Sequence, residues 1–132
     1  MYLIDTNIWL ELLLQQDKAG EVSSFFQTVD ASSLAITDFT LYSIGIILTR
    51  LKKSEAFNDF VSDTLEENSV NRICLDPTGL KQISSIQKQF GLDFDDAYQY
   101  VAAMENELVL VSFDTDFDKT PLGRKTPAES IS

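Results

Sequence analysis

Histidine is missing from this chain altogether, and cysteine occurs once, at Cys74, in a sequence of 132 residues. Without histidine there is no Ser-His-Asp triad and no thiol–imidazole pair. A lone cysteine closes no internal disulfide and leaves no ligand set for a zinc site of the usual kind. Bases are scarce as well: ten lysines and arginines stand against 21 aspartates and glutamates, a formal net charge of −11. That balance works against long-range attraction of nucleic acid, so such a substrate would need cations or a local basic patch. No apolar run approaches the roughly 20 residues that a membrane-spanning helix needs. The chain also meets a carboxylate at Asp5, before the apolar core of a secretory signal could form. The expectation is a cytoplasmic protein with no membrane partner, whose chemistry rests on carboxylates.

What the chain does hold is a 44% share of hydrophobic residues, enough for the core of one domain spanning residues 1–132. Tyr2-Leu3-Ile4 is a short apolar run that ends in Asp5, Thr6 and Asn7, and helical spacing of Ile8, Leu12 and Leu13 follows over 7–16. A second helix is expected over about 18–28. Leu34-Ala35-Ile36 is another short run, ending in Thr37-Asp38 and feeding a helix over about 39–52 with Ile44, Ile47, Leu48 and Leu51 on one face. A further helix starts at Ser54 and turns Phe57, Phe60, Val61 and Leu65 inward. Asn71 to Leu75 reads as a third strand, Pro77 to Phe90 as a helix closed by Gly91, and Asp93 to Asn106 as the next helix. Leu108 to Ser112 is the clearest buried strand, and beyond Thr115 the pattern fades toward a short edge strand at most. Strands alternating with helices predict a three-layer α/β/α sandwich around a parallel sheet of four to five strands.

Right-handed crossovers put the carboxyl ends of such strands on one edge, where ligands bind in open α/β sheets. That edge receives Asp5, Asp38 and Asp114, and the helix opened by Asp93 brings Asp95 and Asp96 toward it. Each acid has an ordinary use: Asp5 and Asp38 as helix caps, Asp95 and Asp96 as partners of a helix dipole, Asp114 in an Asx-turn. Adjacent helix residues point about 100° apart, so at most one of Asp95 and Asp96 faces a common centre. Together, carboxylates in one place repel and raise each other's pKa unless a cation neutralises them. Mg²⁺ or Mn²⁺ is the natural occupant, and such ions support phosphodiester hydrolysis without histidine or cysteine. The run Asp114-x-Asp116-x-Asp118 is not a calcium loop, because Lys119 stands at the glycine position and Lys125 at the glutamate position. A haloacid dehalogenase-type phosphatase would want an acid where Asn7 stands. The bases gather at Arg50/Lys52/Lys53, read as solvated surface, and at Lys119/Arg124/Lys125, the group better placed to meet a phosphate backbone.

Tyr2-Leu-Ile-Asp-Thr-Asn-Ile8, Phe94-Asp-Asp-Ala-Tyr98 and Leu110-Val-Ser-Phe-Asp-Thr-Asp-Phe117 together resemble the signature blocks of PIN-domain proteins, in order and over nearly the whole chain. The resemblance implies the α/β/α sandwich, Mg²⁺ or Mn²⁺ as cofactor, and ribonuclease activity on single-stranded RNA. It also implies, for small members of VapC type, an antitoxin partner. Matched position by position, it makes Asp5 the first metal-binding acid, Asp96 the third and Asp114 the fourth, with Asp116 close by and Asn7 and Ser112 in support. The family's second acid, a glutamate, is Ser43 here. A hydroxyl is a weak neutral ligand, so Asp38 is the candidate to restore the missing charge. The apolar load of the helices between Phe39 and Leu65 points to a homodimer built on that face.

Overall fold

The computed structural model describes residues 1–132. Four strands, β1 (Tyr2–Ile4), β2 (Leu34–Thr37), β3 (Asn71–Ile73) and β4 (Val109–Val111), form one sheet in the order β3-β2-β1-β4. Every pairing is parallel, with Tyr2 opposite both Leu34 and Val109, and Ile36 opposite Arg72. Between them run α1 (Thr6–Leu13), α2 (Ala19–Thr28), α3 (Asp38–Arg50), α4 (Ser54–Val61), α5 (Pro77–Phe90) and α6 (Phe94–Glu105), and α7 (Pro127–Ser130) closes the chain.

The three layers follow from the period of two along each strand, which sends neighbouring side chains to opposite faces. Leu3, Ala35 and Leu110 point into a core shared with α5 and α6, where Ile83, Ile86, Val101 and Ala102 lie buried. Ile4, Ile36 and Val111, one residue later in each strand, point into a second core with Ile8, Val22, Phe25 and Ile44 from α1, α2 and α3. A sheet apolar on both faces needs helices on both, which is why its strands read as unbroken apolar runs. Of the aromatic residues of the first half, Trp9, Phe25 and Phe60 are buried, whereas Tyr42 is exposed.

Three of the departures from the expectation have a local reason. The helix begun at Ser54 does not run regularly to Leu65: from Ser62 to Glu67 the turn widens, and the Asn68 N–H donates to the Asp63 carbonyl five residues back, at 3.1 Å. The fifth strand is a single bridge, in which Lys125 N–H donates to Leu110 O at 2.9 Å and Lys125 O accepts from Ser112 N–H at 3.0 Å. Proline at 121 and a left-handed Gly123 (φ 66°) keep the preceding chain from extending that pairing. The third helix starts one residue early, at Asp38, because Thr37 is the cap and its hydroxyl accepts from Thr40 N–H at 3.0 Å. Gly91, left-handed at φ 65°, ends α5 as expected. No helix is long and apolar enough to cross a membrane.

The sheet order places the site. The chain passes from β1 outward through β2 and β3, then returns to the other side of β1 as β4. The crevice between the carboxyl ends of β1 and β4 is therefore a topological switch point, the position that the loops of an open α/β sheet leave free for a ligand.

Candidate active site

At that switch point β1 ends in Asp5, whose carboxylate both caps α1 and faces the crevice. Its Oδ1 accepts from Thr6 N–H at 2.8 Å and from Gln99 Nε2 at 3.0 Å, and its Oδ2 accepts from Ser112 Oγ at 2.7 Å and Asn7 Nδ2 at 3.4 Å. The cap and the site are one residue. Ser112, the first residue past β4, also accepts from the backbone N–H of Asp114 at 2.9 Å, and Asn7 Oδ1 accepts from Phe113 N–H at 3.2 Å. These bonds lock the start of α1 to the loop after β4. Asp5 is only 5% exposed. Burial pushes its pKa up, the hydrogen bonds from Gln99, Ser112 and Thr6 pull it back, and the charge of Asp114 pushes it up further.

Beside Asp5 stands Asp96, in the first turn of α6, where Asp93 is the cap and accepts from the Asp96 N–H at 3.4 Å. Carboxylate oxygens of Asp96, Asp114 and Asp116 lie within 4.8 Å of one another. Asp114 caps the short turn Thr115–Lys119 by accepting from Asp116 N–H at 2.9 Å, which brings the exposed Asp116 back toward the cluster. Burial, a hydrogen bond with Asp114, and the charges of Asp114, Asp93 and Asp5 together push the Asp96 pKa up to about 8. A buried acid so reluctant to ionise, facing two others, has the donor chemistry of a hard divalent cation site: oxygen ligands only, with excess negative charge to be neutralised. A cleft of about 420 Å³ opens from Asp5 and Asp96 and continues along α3 past Ser43 and Ile47 to Arg50.

A family model described as PIN domain matches residues 2–122. The chain belongs to the PIN-domain family. No curated protein sequence matches it. Solved structures do. A toxin-antitoxin complex from Klebsiella pneumoniae superimposes with a TM-score of 0.77 at 21% identity, covering 98% of this chain and 99% of that one. VapC20 of Mycobacterium tuberculosis, a Sarcin-Ricin loop cleaving toxin, has a TM-score of 0.77 at 15% identity over 89% and 93% of the two chains. FitAcB from Neisseria gonorrhoeae has a TM-score of 0.73 at 19% identity over 96% and 98%. At such identities the likeness speaks for the fold.

Within this PIN fold not every residue singled out in the sequence reaches the crevice. Asp5, Asp96, Asp114 and Asp116 are gathered there, with Asn7 and Ser112 bonded to Asp5 and Ser112 also to the Asp114 backbone. Asp95 is exposed on the cleft wall, one helix position round from Asp96. Asp38 does not supply the second charge: in the first turn of α3 its carboxylate pairs with Arg72 of β3, which also reaches the Tyr42 hydroxyl at 3.2 Å. Ser43 is half-buried on the cleft wall and brings no charge to it. The basic group is likewise divided. Arg124 is a structural residue, 14% exposed, that grips Asp118 through two bonds of 3.0 and 3.1 Å and donates to Ser112 O at 3.1 Å. Lys119 donates to Gly91 O at 3.2 Å, and only the Lys125 side chain is left free of hydrogen bonds and ion pairs.

Gln99 is the site residue that sequence reasoning missed. It is 1% exposed, donates to Asp5 and, at 2.8 Å, to Thr40 Oγ1, and accepts from the Thr37 hydroxyl at 2.9 Å. The Thr40 hydroxyl in turn meets Thr6 Oγ1 at 2.9 Å, so one network joins the start of α1, β2, α3 and α6 behind the carboxylate. The signal was present: Gln99 lies three residues after Asp96 on one helix face, among Ala97, Tyr98, Tyr100 and Val101. Gln99→Leu keeps the bulk and strands Asp5, Thr37 and Thr40 without their partner. It should lower stability by about 2–3 kcal/mol, the scale of unsatisfied buried polar groups. Urea melts would show the midpoint falling with m unchanged; an unshifted midpoint would mean that water replaces the amide.

Proposed function

We propose that this PIN domain is an endoribonuclease that cuts single-stranded RNA with Mg²⁺ or Mn²⁺ and acts as the toxin of a toxin-antitoxin pair. The observation that carries the reading is the convergence of Asp96, Asp114 and Asp116 beside the buried Asp5 at the sheet's switch point. Asp96, Asp114 and Asp116 would hold the cation, and Asp5 adds its charge from the side. When bound, the ion supplies Lewis-acid polarisation of a phosphodiester and a lowered pKa for an attacking water. The chain's own residues do the rest. Gln99, Ser112 and Asn7 fix the orientation of the Asp5 carboxyl group, and Asp96 and Asp5, both with raised pKa values, are the groups from which an arriving cation displaces protons. The toxin reading is supported by solved relatives of the same fold described as a toxin-antitoxin complex and as a Sarcin-Ricin loop cleaving toxin. An antitoxin arginine suits the acidic cluster, because its planar fork bonds carboxylates in bidentate fashion.

End-labelled single-stranded RNA with millimolar Mn²⁺ should be cut internally, with chelator stopping the reaction. RNA left intact at saturating Mn²⁺ would contradict the reading. Ser43 favours a second one, a PIN module that binds RNA without cutting it, since one charge of the family's site is absent. Retention of intact RNA under those conditions is its mark.

The homodimer is part of the same proposal. Tyr42 and Ile46 stand 58% and 53% exposed one turn apart on α3, and with Gly45 and Phe57 they shape an open hollow between α3 and α4, with Thr49 and Arg50 at its edge, where α3 turns toward the acidic cleft. An apolar patch there suits a second copy of the chain. Light scattering should report a dimer at tens of micromolar, and a monomer at that concentration would count against it.

A further inference from the structure

The acidic cleft has a single cation on its wall. Of the three arginines in the chain, Arg72 is paired with Asp38 and Arg124 with Asp118, while Arg50 pairs with no carboxylate although Asp5, Asp95 and Asp96 line the same cleft. Phe39, Ser43, Ile46, Ile47 and Arg50 fall at steps of three and four along α3, so one helix face forms the cleft's long wall. At 1.5 Å per residue the run from Phe39 to Arg50 is about 16 Å along the axis, with the carboxylates toward its start and the guanidinium at its end. A chain of net charge −11 repels a phosphate strand almost everywhere. An unneutralised guanidinium in a cleft otherwise lined by acidic, neutral polar and apolar side chains is therefore the one cation there able to hold a phosphate, and its fork does so in bidentate fashion.

We propose that Arg50 binds a backbone phosphate of the single-stranded RNA, away from the phosphodiester being cut, and so sets the direction in which the strand lies along α3. This rests on the ribonuclease reading. It moves the substrate contact from Lys119, Arg124 and Lys125, none of which lines this cleft, to a residue that in the sequence reads as solvated surface. Phe39 and Ile47, which line the cleft between its carboxylates and Arg50, leave an apolar stretch for the bases that lie between the two phosphates.

The test uses the full chain with Asp5→Asn, so that RNA is not consumed, and reads the anisotropy of a labelled single-stranded oligoribonucleotide across a salt series with Mn²⁺ present. Adding Arg50→Gln should weaken binding about tenfold, the scale of one lost charge-assisted contact. It should also flatten the slope of log affinity against log salt by about 0.7, as one fewer single-strand phosphate contact requires. Arg50→Lys should keep the slope and recover only part of the affinity, and Lys125→Gln should change neither. On the Asp5 background, Arg50→Gln should raise KM with kcat unchanged to within about twofold. If the parent binds no single-stranded RNA at low salt, the ribonuclease reading and this assignment fall together. If the parent binds and Arg50→Gln matches it in affinity and slope, only the Arg50 assignment falls. A change in Mn²⁺ affinity by calorimetry with an unchanged salt slope also overturns it, because Arg50 would then be a counter-charge to the acids.

Discussion

Asp5→Asn is expected to remove RNA cleavage, by on the order of a thousandfold, the scale at which loss of one electrostatic contact to a transition state is felt, while the protein stays folded. Asparagine keeps the size of the side chain and an oxygen toward Thr6 N–H and Gln99 Nε2, and gives up only the bonds that Oδ2 accepts from Ser112 and Asn7. What disappears is a negative charge beside Asp96 and Asp114. Because burial is the main cause that raises the Asp5 pKa, removing the charge also relieves a folded-state penalty. The variant should therefore melt no lower than the parent at pH 8 in chelator. Full cleavage by Asp5→Asn would place the chemistry elsewhere; a collapse of stability would mean that the carboxylate is needed to cap α1 rather than to cut.

The second large effect is the coupling of stability to pH and cation. Asp96, at about 8, and Asp5 both hold their protons in the folded chain at pH values where the unfolded chain, with ordinary carboxyls near 3.8, has lost them. The native state then binds more protons than the unfolded one, so stability falls as pH rises from the unfolded value through the folded one. In chelator the melting temperature should decline steadily between pH 5 and pH 8.5. Mn²⁺ should reverse the trend, because the cation binds the ionised cluster and displaces the proton. At a hundredfold excess over Kd it adds about 2.7 kcal/mol, which for a chain of this length is roughly 10 °C in melting temperature. Calorimetric melts at pH 5 and 8, with and without Mn²⁺, read both signs. A flat profile in chelator would show that the acids are not coupled in the way their burial implies.

The parts of this molecule that a linear reading recovers are those that depend on near neighbours. Leu3 and Ile4, or Leu110 and Val111, announce a strand buried on both faces, and Asp93 followed by Asp96 announces a cap and the first turn of a helix. The carboxyl-edge rule then gathers Asp5, Asp96 and Asp114 without any coordinates. What was hidden depends on pairing across the fold. Asp38 sits at the correct edge, but whether it turns to the crevice or to Arg72 is settled by the register of β3 against β2, which no local pattern carries. Arg124 reads as a free base and is in fact consumed by Asp118 and the Ser112 carbonyl. Gln99 reads as one polar residue in a helix, and only the closure of β1, β2, α3 and α6 around it shows that it braces the first acid. Arg50 is the converse, a residue of an ordinary charge run that the packing of α3 sets on the wall of the acidic cleft.

The ribonuclease reading requires one carboxylate cluster, at the switch point of the sheet, to be the cation-dependent centre. Crystals grown with Mn²⁺ and measured for its anomalous scattering test it most directly. The account predicts a peak at about 2.0–2.6 Å from carboxylate oxygens of Asp96 and Asp114, the range of hard-cation coordination, and its loss in Asp96→Asn. A saturating soak that leaves those carboxylates without a peak, or a peak bound only by acids outside the crevice such as Asp63 or Glu129, would contradict it.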